Sequence, residues 1–208
     1  MEKKNILITG VAGLIGSKFA EYIINNHHDE YNVIGIDCLL GGDLNNIPRG
    51  CITIFKDLAT DDVSKVFETF NFEYVFHFAA YAAEGLSGFK RNFFHSNNIL
   101  STGNIINCCV NYKVKRLVFT SSMSVYGTGT GTNDRFDEND TPLPLDPYAI
   151  GKYACELDIQ SAGEQFGLDW CIIRPHNVYG PNQNIWDKYR NVLGIWMYQT
   201  LNEQPTTI

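Results

Sequence analysis

The chain has 208 residues, of which 44% are hydrophobic and 19% are charged, and this composition excludes a disordered or fibrous protein. Its 16 basic and 23 acidic residues give a formal net charge of −7, which argues against a nucleic-acid-binding surface. No apolar run approaches the ~20 residues of a membrane span, and no secretory leader fits the N-terminus. We therefore expect a cytoplasmic protein that binds neither membranes nor nucleic acids.

The predicted elements alternate between strands and helices along the chain. Apolar runs predict strands at residues 5–9, 32–37, 51–55, 73–78, 116–121 and 170–174. Helical periodicity predicts helices at residues 15–23, 61–70, 97–111 and 147–166. Strands that are apolar on both faces and separated by helices indicate an α/β fold with a doubly wound parallel sheet. The loop at 127–144 has no periodicity, and we interpret it as a candidate active-site loop.

The six cysteines form no CxxC pair, and none lies at zinc-ligand spacing with a histidine. We therefore predict no metal site, and we interpret the cysteines as buried thiols of a reducing compartment.

Three glycines, Gly10, Gly13 and Gly16, lie between the first strand and the first helix. In a nucleotide-binding loop the first glycine permits a tight turn and the second lets the backbone approach a pyrophosphate, while the third lets the helix pack on the sheet. The amides and the dipole at the helix N-terminus then favour an anion. The spacing GxxGxxG is a weak signal alone, but its position between a strand and a helix strengthens it.

Acidic residues follow the next two strands. Asp37 ends the second strand, where a carboxylate accepts hydrogen bonds from both ribose hydroxyls of adenosine and repels a 2′-phosphate, so that NAD is favoured over NADP. Asp57 and Leu58 follow the third strand and would meet the adenine by the same topology. The alternative interpretations are a solvated turn residue for Asp37 and a helix-entry residue for Asp57.

Hydroxyl and charged side chains are concentrated at 120–127, 148–152 and 174–181, which lie at the carboxyl ends of strands, where ligands of an open parallel sheet collect. Tyr148 and Lys152 are four residues apart and share one helix face. The preceding Asp146 and Pro147 are typical of a helix cap and a first helical residue.

A lysine cation could activate the Tyr148 phenol as a base. A cation ~4 Å away at an effective dielectric of ~20 is worth about 4 kcal/mol, which would bring the pKa of the phenol from ~10 to ~7. Ser122 could hydrogen-bond the substrate oxygen and share the proton. The alternative is that Tyr148 and Lys152 form a solvated pair on a helix.

Together these motifs resemble the extended short-chain dehydrogenase/reductase superfamily, and within it the NAD-dependent sugar-nucleotide epimerase/dehydratase family, which includes UDP-glucose 4-epimerases. The resemblance is carried by TGVAGLIGS at 9–17, Asp37, Asp57-Leu58, HFAA at 77–80, NILSTGN at 98–104, SSMSVYG at 121–127, YAIGK at 148–152 and RPHNVYGP at 174–181. It implies a Rossmann-type NAD-binding domain at 1–181. Because family members are usually longer, it also implies that 182–208 begin an incomplete, truncated C-terminal substrate lobe.

The resemblance also implies roles by position. The pyrophosphate of NAD would be held by Gly10, Gly13, Leu14 and Ile15, its adenosine ribose by Asp37, and its adenine by Asp57 and Leu58. Further cofactor contacts would come from Phe78, Ala79, Ala80, Asn98, Tyr148, Lys152 and His176. The catalytic residues would be Ser122, Tyr148 and Lys152, and the nucleotide-sugar substrate would meet Ser122, Tyr148, Asn177 and Asn191.

The reaction type depends on two positions. Dehydratases of this family carry Asp-Glu after the catalytic hydroxyl residue, where this chain has Met123 and Ser124, and neither side chain does acid–base work near pH 7. What remains is reversible oxidation, which fits 4-epimerisation of a UDP-hexose through a 4-keto intermediate, with Tyr148 taking the proton of the 4-hydroxyl. The alternatives are an NAD(P)-dependent reductase or dehydratase of the same superfamily, and a non-catalytic dinucleotide-binding module.

The family's usual dimer packs two helices of each subunit into a four-helix bundle. The helices after Asn98 and after Pro147 are the candidates here, so we expect a homodimer.

Overall fold

A computed structural model describes residues 2–129 and 135–207. Six parallel strands form one sheet in the order β3-β2-β1-β4-β5-β6. The strands are β1 Lys4–Thr9, β2 Tyr31–Asp37, β3 Ile52–Phe55, β4 Tyr74–His77, β5 Arg116–Thr120 and β6 Asp169–Ile173. The predicted doubly wound parallel sheet is therefore confirmed, and each strand lies close to its expected position.

The described ranges contain seven α-helices. They are α1 Leu14–Asn26, α2 Ser64–Phe70, α3 Glu84–Ser87, α4 Arg91–Phe94, α5 Ser101–Asn111, α6 Pro147–Phe166 and α7 Val192–Leu201. A π-helical stretch, His95–Leu100, joins α4 to α5, so the helix predicted from residue 97 begins earlier. The single-turn helices α3 and α4 are too short to show a period in the sequence. Among these helices, none combines the length and the apolarity needed to cross a bilayer.

The core lies on both faces of the sheet, because successive side chains of a strand point to opposite faces. Leu7 of β1 belongs to a buried cluster with residues of α2, α5 and α6, including Phe67 and Ile159. Its neighbours Ile6 and Ile8 belong to a second cluster, on the side of α1. This two-sided burial explains why the strands are continuous apolar runs.

The first loop packs directly on β2 through a glycine. A Cβ atom added to Gly35 would lie 2.5 Å from Cγ1 of Val11, which is fully buried. Gly35 therefore lets the loop between β1 and α1 pack against the sheet, and other residues of this loop line the cleft described below.

We expect Gly35→Ala to lower the free energy of unfolding by about 1–3 kcal/mol, because the added methyl group overpacks a filled site. The matched control is Gly103→Ala within α5, where an added Cβ meets nothing within 4 Å. Removing a helical glycine should raise stability there by up to about 1 kcal/mol. Urea denaturation of both variants measures the difference, and equal stabilities would contradict the packing argument.

Candidate active site

A cleft of about 1000 Å³ opens at the carboxyl edge of the sheet, and loops after all six strands contribute to its lining. The strand order reverses between β1 and β4, which is where open parallel sheets bind their ligands. The predicted cofactor and catalytic residues that line this cleft are Gly10, Gly13, Leu14, Ile15, Asp37, Asp57, Leu58, Phe78, Ala79, Ala80, Ser122, Tyr148, Lys152 and His176. Asn177 and Asn191 line it as well.

The glycine loop presents backbone to the cleft. Gly10 has φ +72°, and a Cβ atom there would lie 2.8 Å from the amide nitrogen of Ala79. Gly13 is the N-cap residue of α1 and donates its amide to the carbonyl of Gly10 at 3.0 Å. Since Gly13 has no side chain to cap the helix, the first amides of α1 remain available to an anion.

Asp37 lies at the end of β2 with its carboxylate fixed by two backbone amides. Oδ2 accepts from the amide of Ala12 at 2.9 Å and Oδ1 accepts from the amide of Leu39 at 2.8 Å. Each carboxylate oxygen keeps a second lone pair for a ribose hydroxyl. Asp57 accepts from the amide of Ala59 at 2.9 Å and lies beside Leu58, so its carboxylate also shapes the turn after β3.

A buried hydrogen-bond chain supports the wall formed by the segment after β4. His77 is fully buried, and its Nδ1 lies 2.7 Å from Oγ1 of Thr9 while its Nε2 lies 3.0 Å from Oγ1 of Thr102. The Thr102 hydroxyl donates to the carbonyl of Asn98 at 2.5 Å, so His77 donates to Thr102 from Nε2 and accepts from Thr9 at Nδ1. Burial, followed by the charge of Lys152, lowers the pKa of His77 to about 3, so the ring is neutral.

Asn98 lies behind this wall, where its side chain forms hydrogen bonds with both backbone groups of Tyr81. Its Oδ1 accepts from the amide of Tyr81 at 2.8 Å, and its Nδ2 donates to the carbonyl of Tyr81 at 3.2 Å. The neighbouring side chains Asn97 and Ser101 line the cleft. Asn98 therefore supports the wall through Tyr81, and a ribose contact by Asn98 stays a prediction.

Ser122, Tyr148 and Lys152 come together at one end of the cleft. Asp146 caps α6 by accepting from the amides of Tyr148 and Ala149 at 2.8 and 3.1 Å, with Pro147 as the first helical residue, as predicted. Tyr148 is 8% exposed, and its ring packs edge-on against Phe94. Lys152 is 3% exposed and donates from Nζ to the carbonyl of Thr120 at 2.7 Å.

The predicted acidification of Tyr148 by Lys152 is wrong for this geometry. Burial raises the pKa of Tyr148 to about 12; the Ser122 hydroxyl lowers this pKa, Glu84 and Asp146 raise it, and Arg190 lowers it. The Lys152 ammonium is held by Thr120 and lies 6.0 Å from the centre of the Tyr148 ring. Burial lowers the pKa of Lys152 itself to about 8. The four-residue spacing correctly predicts that Tyr148 and Lys152 share a helix face, but it carries no information on how deeply the two side chains are buried.

A buried carboxylate organises the end of the cleft where β5 and β6 finish. Glu156 of α6 is fully buried, and its oxygens accept from Nε and Nη2 of Arg174 at 3.0 and 2.6 Å. Glu156 also accepts from the Ser121 hydroxyl, and Arg174 donates to the hydroxyl of Tyr126 at 2.7 Å. This pairing raises the pKa of Arg174. It fixes Ser121, the residue before Ser122, to α6.

The segment after β6 brings three predicted residues to the cleft. His176 and Asn177 are exposed there, and Nδ1 of His176 accepts from the amide of Asn177 at 2.9 Å. Asn191 is the N-cap residue of α7, and its Nδ2 donates to the carbonyl of Val178 at 3.0 Å. Its side chain therefore holds the fold of this segment, and a substrate contact by Asn191 stays a prediction.

Part of the predicted active-site loop at 127–144 lies outside the described residues, at 130–134. In the described part, Phe136 stacks on Tyr126 with ring centres 5.0 Å apart, on a ring that Arg174 also contacts. This part of the loop packs on the Glu156 network.

The sequence did not reveal two charged residues of the cleft. Glu84 of α3 lines the cleft, and burial, followed by the charge of Asp146, raises its pKa. Arg190 reaches the cleft from the segment before α7. Neither lies in a recognisable motif, and the only available signal was their position after a strand end.

A family model, that of the NAD dependent epimerase/dehydratase family, matches residues 6–208. The chain belongs to this family. It is 32% identical over 227 residues to a dTDP-D-glucose 4,6-dehydratase of Dictyostelium discoideum, an alignment that covers 99% of this chain and 50% of the relative. Its relatives thus include nucleotide-sugar epimerases and 4,6-dehydratases.

Two solved structures of epimerases are similar to this family member over nearly its whole length. A Thermus thermophilus UDP-glucose 4-epimerase in complex with NAD has a TM-score of 0.89 and 32% identity, covering 98% of this chain and 65% of that chain. A UDP-N-acetylglucosamine 4-epimerase from Methanobrevibacter ruminantium, in complex with UDP-N-acetylmuramic acid, has a TM-score of 0.87 and 33% identity, covering 98% and 64%. The chain therefore spans less than two thirds of the length of these proteins.

The family is NAD-dependent, and the cleft of this member fits a dinucleotide. A Cβ atom at Gly10 would collide with the backbone of Ala79, so a glycine there lets the loop present bare backbone to the cleft. The N-terminus of α1 has no side-chain cap, so its first amides are available to a diphosphate. Asp37 lines the same cleft. The first two features suit the pyrophosphate of NAD, and the Asp37 carboxylate suits its adenosine ribose.

The buried His77 predicts how stability depends on pH. Its pKa is about 3 in the folded chain against 6.5 for the unperturbed ring, so between these values the unfolded chain binds the extra proton. The free energy of unfolding should therefore fall as the pH drops from 6.5 toward 3, by up to about 1.4 kcal/mol per pH unit. Urea denaturation at several pH values should show a smaller slope for His77→Gln. The exposed-site control His28→Gln should keep the wild-type slope, and an unchanged slope in His77→Gln would reject this assignment.

Proposed function

We propose that this protein is a nucleotide-sugar epimerase that acts on carbon 4 of a UDP-hexose through a 4-keto sugar. The observation that carries the proposal is the meeting of Ser122, Tyr148 and Lys152 at one end of a cleft whose other parts fit NAD. Sequence similarity to epimerases over nearly the whole chain supports it.

Ser122 is arranged as a proton donor. Its Oγ accepts from the amide of Ser124 at 3.2 Å and from the Ser124 hydroxyl at 2.9 Å. The Ser122 proton is thereby left for another acceptor, and its effect of lowering the pKa of Tyr148 agrees with donation to the phenol oxygen. In the proposed reaction Ser122 would bridge Tyr148 and the 4-hydroxyl oxygen of the sugar.

Tyr148 would take the proton of the 4-hydroxyl and later return it. With its pKa near 12 the phenol is protonated at neutral pH, so a bound substrate must favour the phenolate. Lys152, whose pKa of about 8 leaves it mainly cationic at pH 7, keeps two N–H groups beyond its bond to Thr120 for the nicotinamide ribose. Bound NAD would accept and return the hydride.

The residues that follow Ser122 favour epimerisation. Met123 and Ser124 occupy the short 3-10 turn Met123–Tyr126 and bring no carboxyl group to the sugar. A 4-epimerase needs no second acid–base pair, because the oxidised sugar only has to present its other face to the returning hydride.

Glu84 favours a second candidate, a 4,6-dehydratase. Its carboxyl group lines the cleft, is coupled electrostatically to Tyr148, and has a raised pKa, as a general acid requires. Water elimination could use this group twice, first as the acid that protonates the leaving hydroxyl and then, as the resulting carboxylate, as the base that takes the proton of the neighbouring carbon. The similarity to a dTDP-D-glucose 4,6-dehydratase agrees with this alternative.

Product analysis separates these functions. The protein is incubated with UDP-glucose and NAD, and the nucleotide sugars are resolved by anion-exchange chromatography. We expect UDP-galactose without net change in NADH absorbance, and we expect Glu84→Gln to retain this activity. A 4-keto-6-deoxy product that disappears in Glu84→Gln indicates the dehydratase, consumption of added NADH indicates a reductase, and NAD binding without nucleotide-sugar binding indicates a non-catalytic module.

We expect Tyr148→Phe to lower the rate of epimerisation by about 10²–10⁴-fold, because the variant lacks the group that exchanges the proton. NAD binding, followed by fluorescence titration, should change little, since the ring is retained. Tyr153→Phe on the same helix is the matched control and should keep its activity. Turnover by Tyr148→Phe at the wild-type rate would reject the base assignment.

We further propose a homodimer that uses the exposed side of α6. Ile150 and Leu157 are 45% and 48% exposed and lie seven residues apart, on one helix face. Leu100 of the π-helical stretch is 51% exposed, and this stretch packs against α6. Together these side chains form an apolar surface suited to a second copy.

We expect Leu157→Asp to convert the dimer into a monomer, because a carboxylate would be buried without a partner in the interface. Size-exclusion chromatography with light scattering measures the mass. Tyr22→Asp, at an exposed position of α1, is the control and should leave the dimer intact. A monomeric wild-type protein would contradict the proposed interface.

A further inference from the structure

The segment at residues 182–191, called the crossing segment below, bridges the two sides of the cleft. At one end, Nδ2 of Asn46 donates to the carbonyl of Asn182 at 3.2 Å and to the carbonyl of Ala12, in the glycine loop, at 3.1 Å. At the other end, Nη1 of Arg190 donates to the carbonyl of Ala82 at 2.9 Å. The crossing segment thus joins the glycine loop to the wall after β4.

Arg190 is held in place on three sides. Its Nε donates to Oδ2 of Asp187 at 3.1 Å, and its guanidinium lies 4.7 Å from the centre of the Tyr81 ring. The Tyr81 hydroxyl contacts the same Asp187 oxygen at 3.5 Å. Both charged side chains are less than one fifth exposed, at 19% and 18%. The guanidinium is therefore oriented before any ligand arrives, which reduces the entropy lost on binding.

The third nitrogen of Arg190 faces the opposite loop of the cleft. A Cβ atom added to Gly41, in the loop after β2, would lie 2.9 Å from Nη2 of Arg190. The absence of a side chain at Gly41 makes room for this nitrogen. Arg190 lines the cleft, and among the described residues its hydrogen bonds use Nε and Nη1, so Nη2 keeps two N–H donors.

Arg190 lies close to residues from both ends of the cleft. Gly41, which lies beside Nη2 of Arg190, is four residues beyond Asp37 and so belongs to the end of the cleft predicted to bind adenosine. The charge of Arg190 also lowers the pKa of Tyr148, which lies at the catalytic end. Among the described residues that line the cleft, the cations are Lys56, Lys152, Lys188 and Arg190. Arg190 alone of these four presents the planar fork of donors that matches phosphate oxygens.

We propose that Arg190 binds the diphosphate of a cleft ligand through Nη2, with Asp187 and Tyr81 as positioning residues. A diphosphate is common to NAD and to a nucleotide sugar, and both would occupy this cleft. Binding of a nucleotide sugar here rests on the proposed function, whereas binding of NAD rests on the family. Because the crossing segment carries Arg190, this contact would also hold the segment closed over the ligand.

Calorimetric titration of the full chain with three probes tests the proposal. The probes are NAD, UDP in the presence of saturating NAD, and adenosine, which shares a moiety with NAD but has no phosphate. We expect Arg190→Gln to weaken NAD or UDP by about 10- to 100-fold, the range of lost charge-assisted hydrogen bonds, while adenosine binding is retained. Loss for NAD assigns the dinucleotide diphosphate, and loss for UDP assigns that of the nucleotide sugar.

Two control variants test whether Arg190 contacts the ligand or only holds the crossing segment in place. Asp187→Asn removes the ion pair but keeps the guanidinium and an amide oxygen that can accept from Nε, so NAD and UDP should lose less affinity than in Arg190→Gln. Lys188→Gln removes a neighbouring exposed charge and should have a small effect. Equal weakening by Asp187→Asn and Arg190→Gln, or a parallel loss of adenosine, would overturn the proposal in favour of a structural role.

Other outcomes are equally decisive. Unchanged binding of both NAD and UDP by Arg190→Gln would refute the contact. If Arg190→Gln does not fold, Arg190→Lys keeps the charge but loses the fork, and an intermediate loss of affinity is expected. Wild-type protein that binds NAD but not UDP would contradict the proposed function, while the NAD titration would still decide the role of Arg190.

Discussion

The structure of the candidate active site depends on the buried carboxylate of Glu156. An ionised group without solvent must be paired and hydrogen-bonded, and both Glu156 oxygens are satisfied by Arg174 and Ser121. Glu156 lies on α6, whereas Ser121 follows β5 and Arg174 follows β6. The ion pair with Arg174 and the hydrogen bond from Ser121 thereby fix the helix that carries Tyr148 to the ends of the two strands that precede Ser122 and His176.

Burial acts in opposite directions on the two titratable groups of this helix. It raises the pKa of the Tyr148 phenol to about 12 and lowers that of the Lys152 ammonium to about 8, because in each case it disfavours the charged form. The fold therefore keeps the Tyr148 phenol protonated at neutral pH. Proton transfer in the proposed reaction relies on new hydrogen bonds and charges brought by ligands, with Ser122 in place to share the proton.

The cleft is built from both rigid and bridging parts. The Thr9, His77 and Thr102 chain lies inside the core and fixes the wall after β4. The crossing segment, in contrast, is attached through side-chain contacts, among them those of Asn46 at one end and of Arg190 and Asp187 at the other. A ligand diphosphate that engages Arg190 would couple occupation of the cleft to closure of this segment. The relatives and the similar solved structures are longer than this chain, which covers 50% of the Dictyostelium discoideum relative and 65% of the Thermus thermophilus epimerase.

The sequence alone determined the sheet, the cleft edge and the identity of the helix that carries Tyr148 and Lys152. Apolar runs, the glycine spacing and the cap formed by Asp146 and Pro147 are local signals, and local signals decide where strands and helices begin and end. Only the tertiary structure decided the pairing of Glu156 with Arg174, the placement of Arg190 beside Gly41, and the pKa of Tyr148. These depend on groups far apart in the chain and on the depth at which they are buried. No periodicity encodes such depth, because it is set by how the layers of the fold pack together.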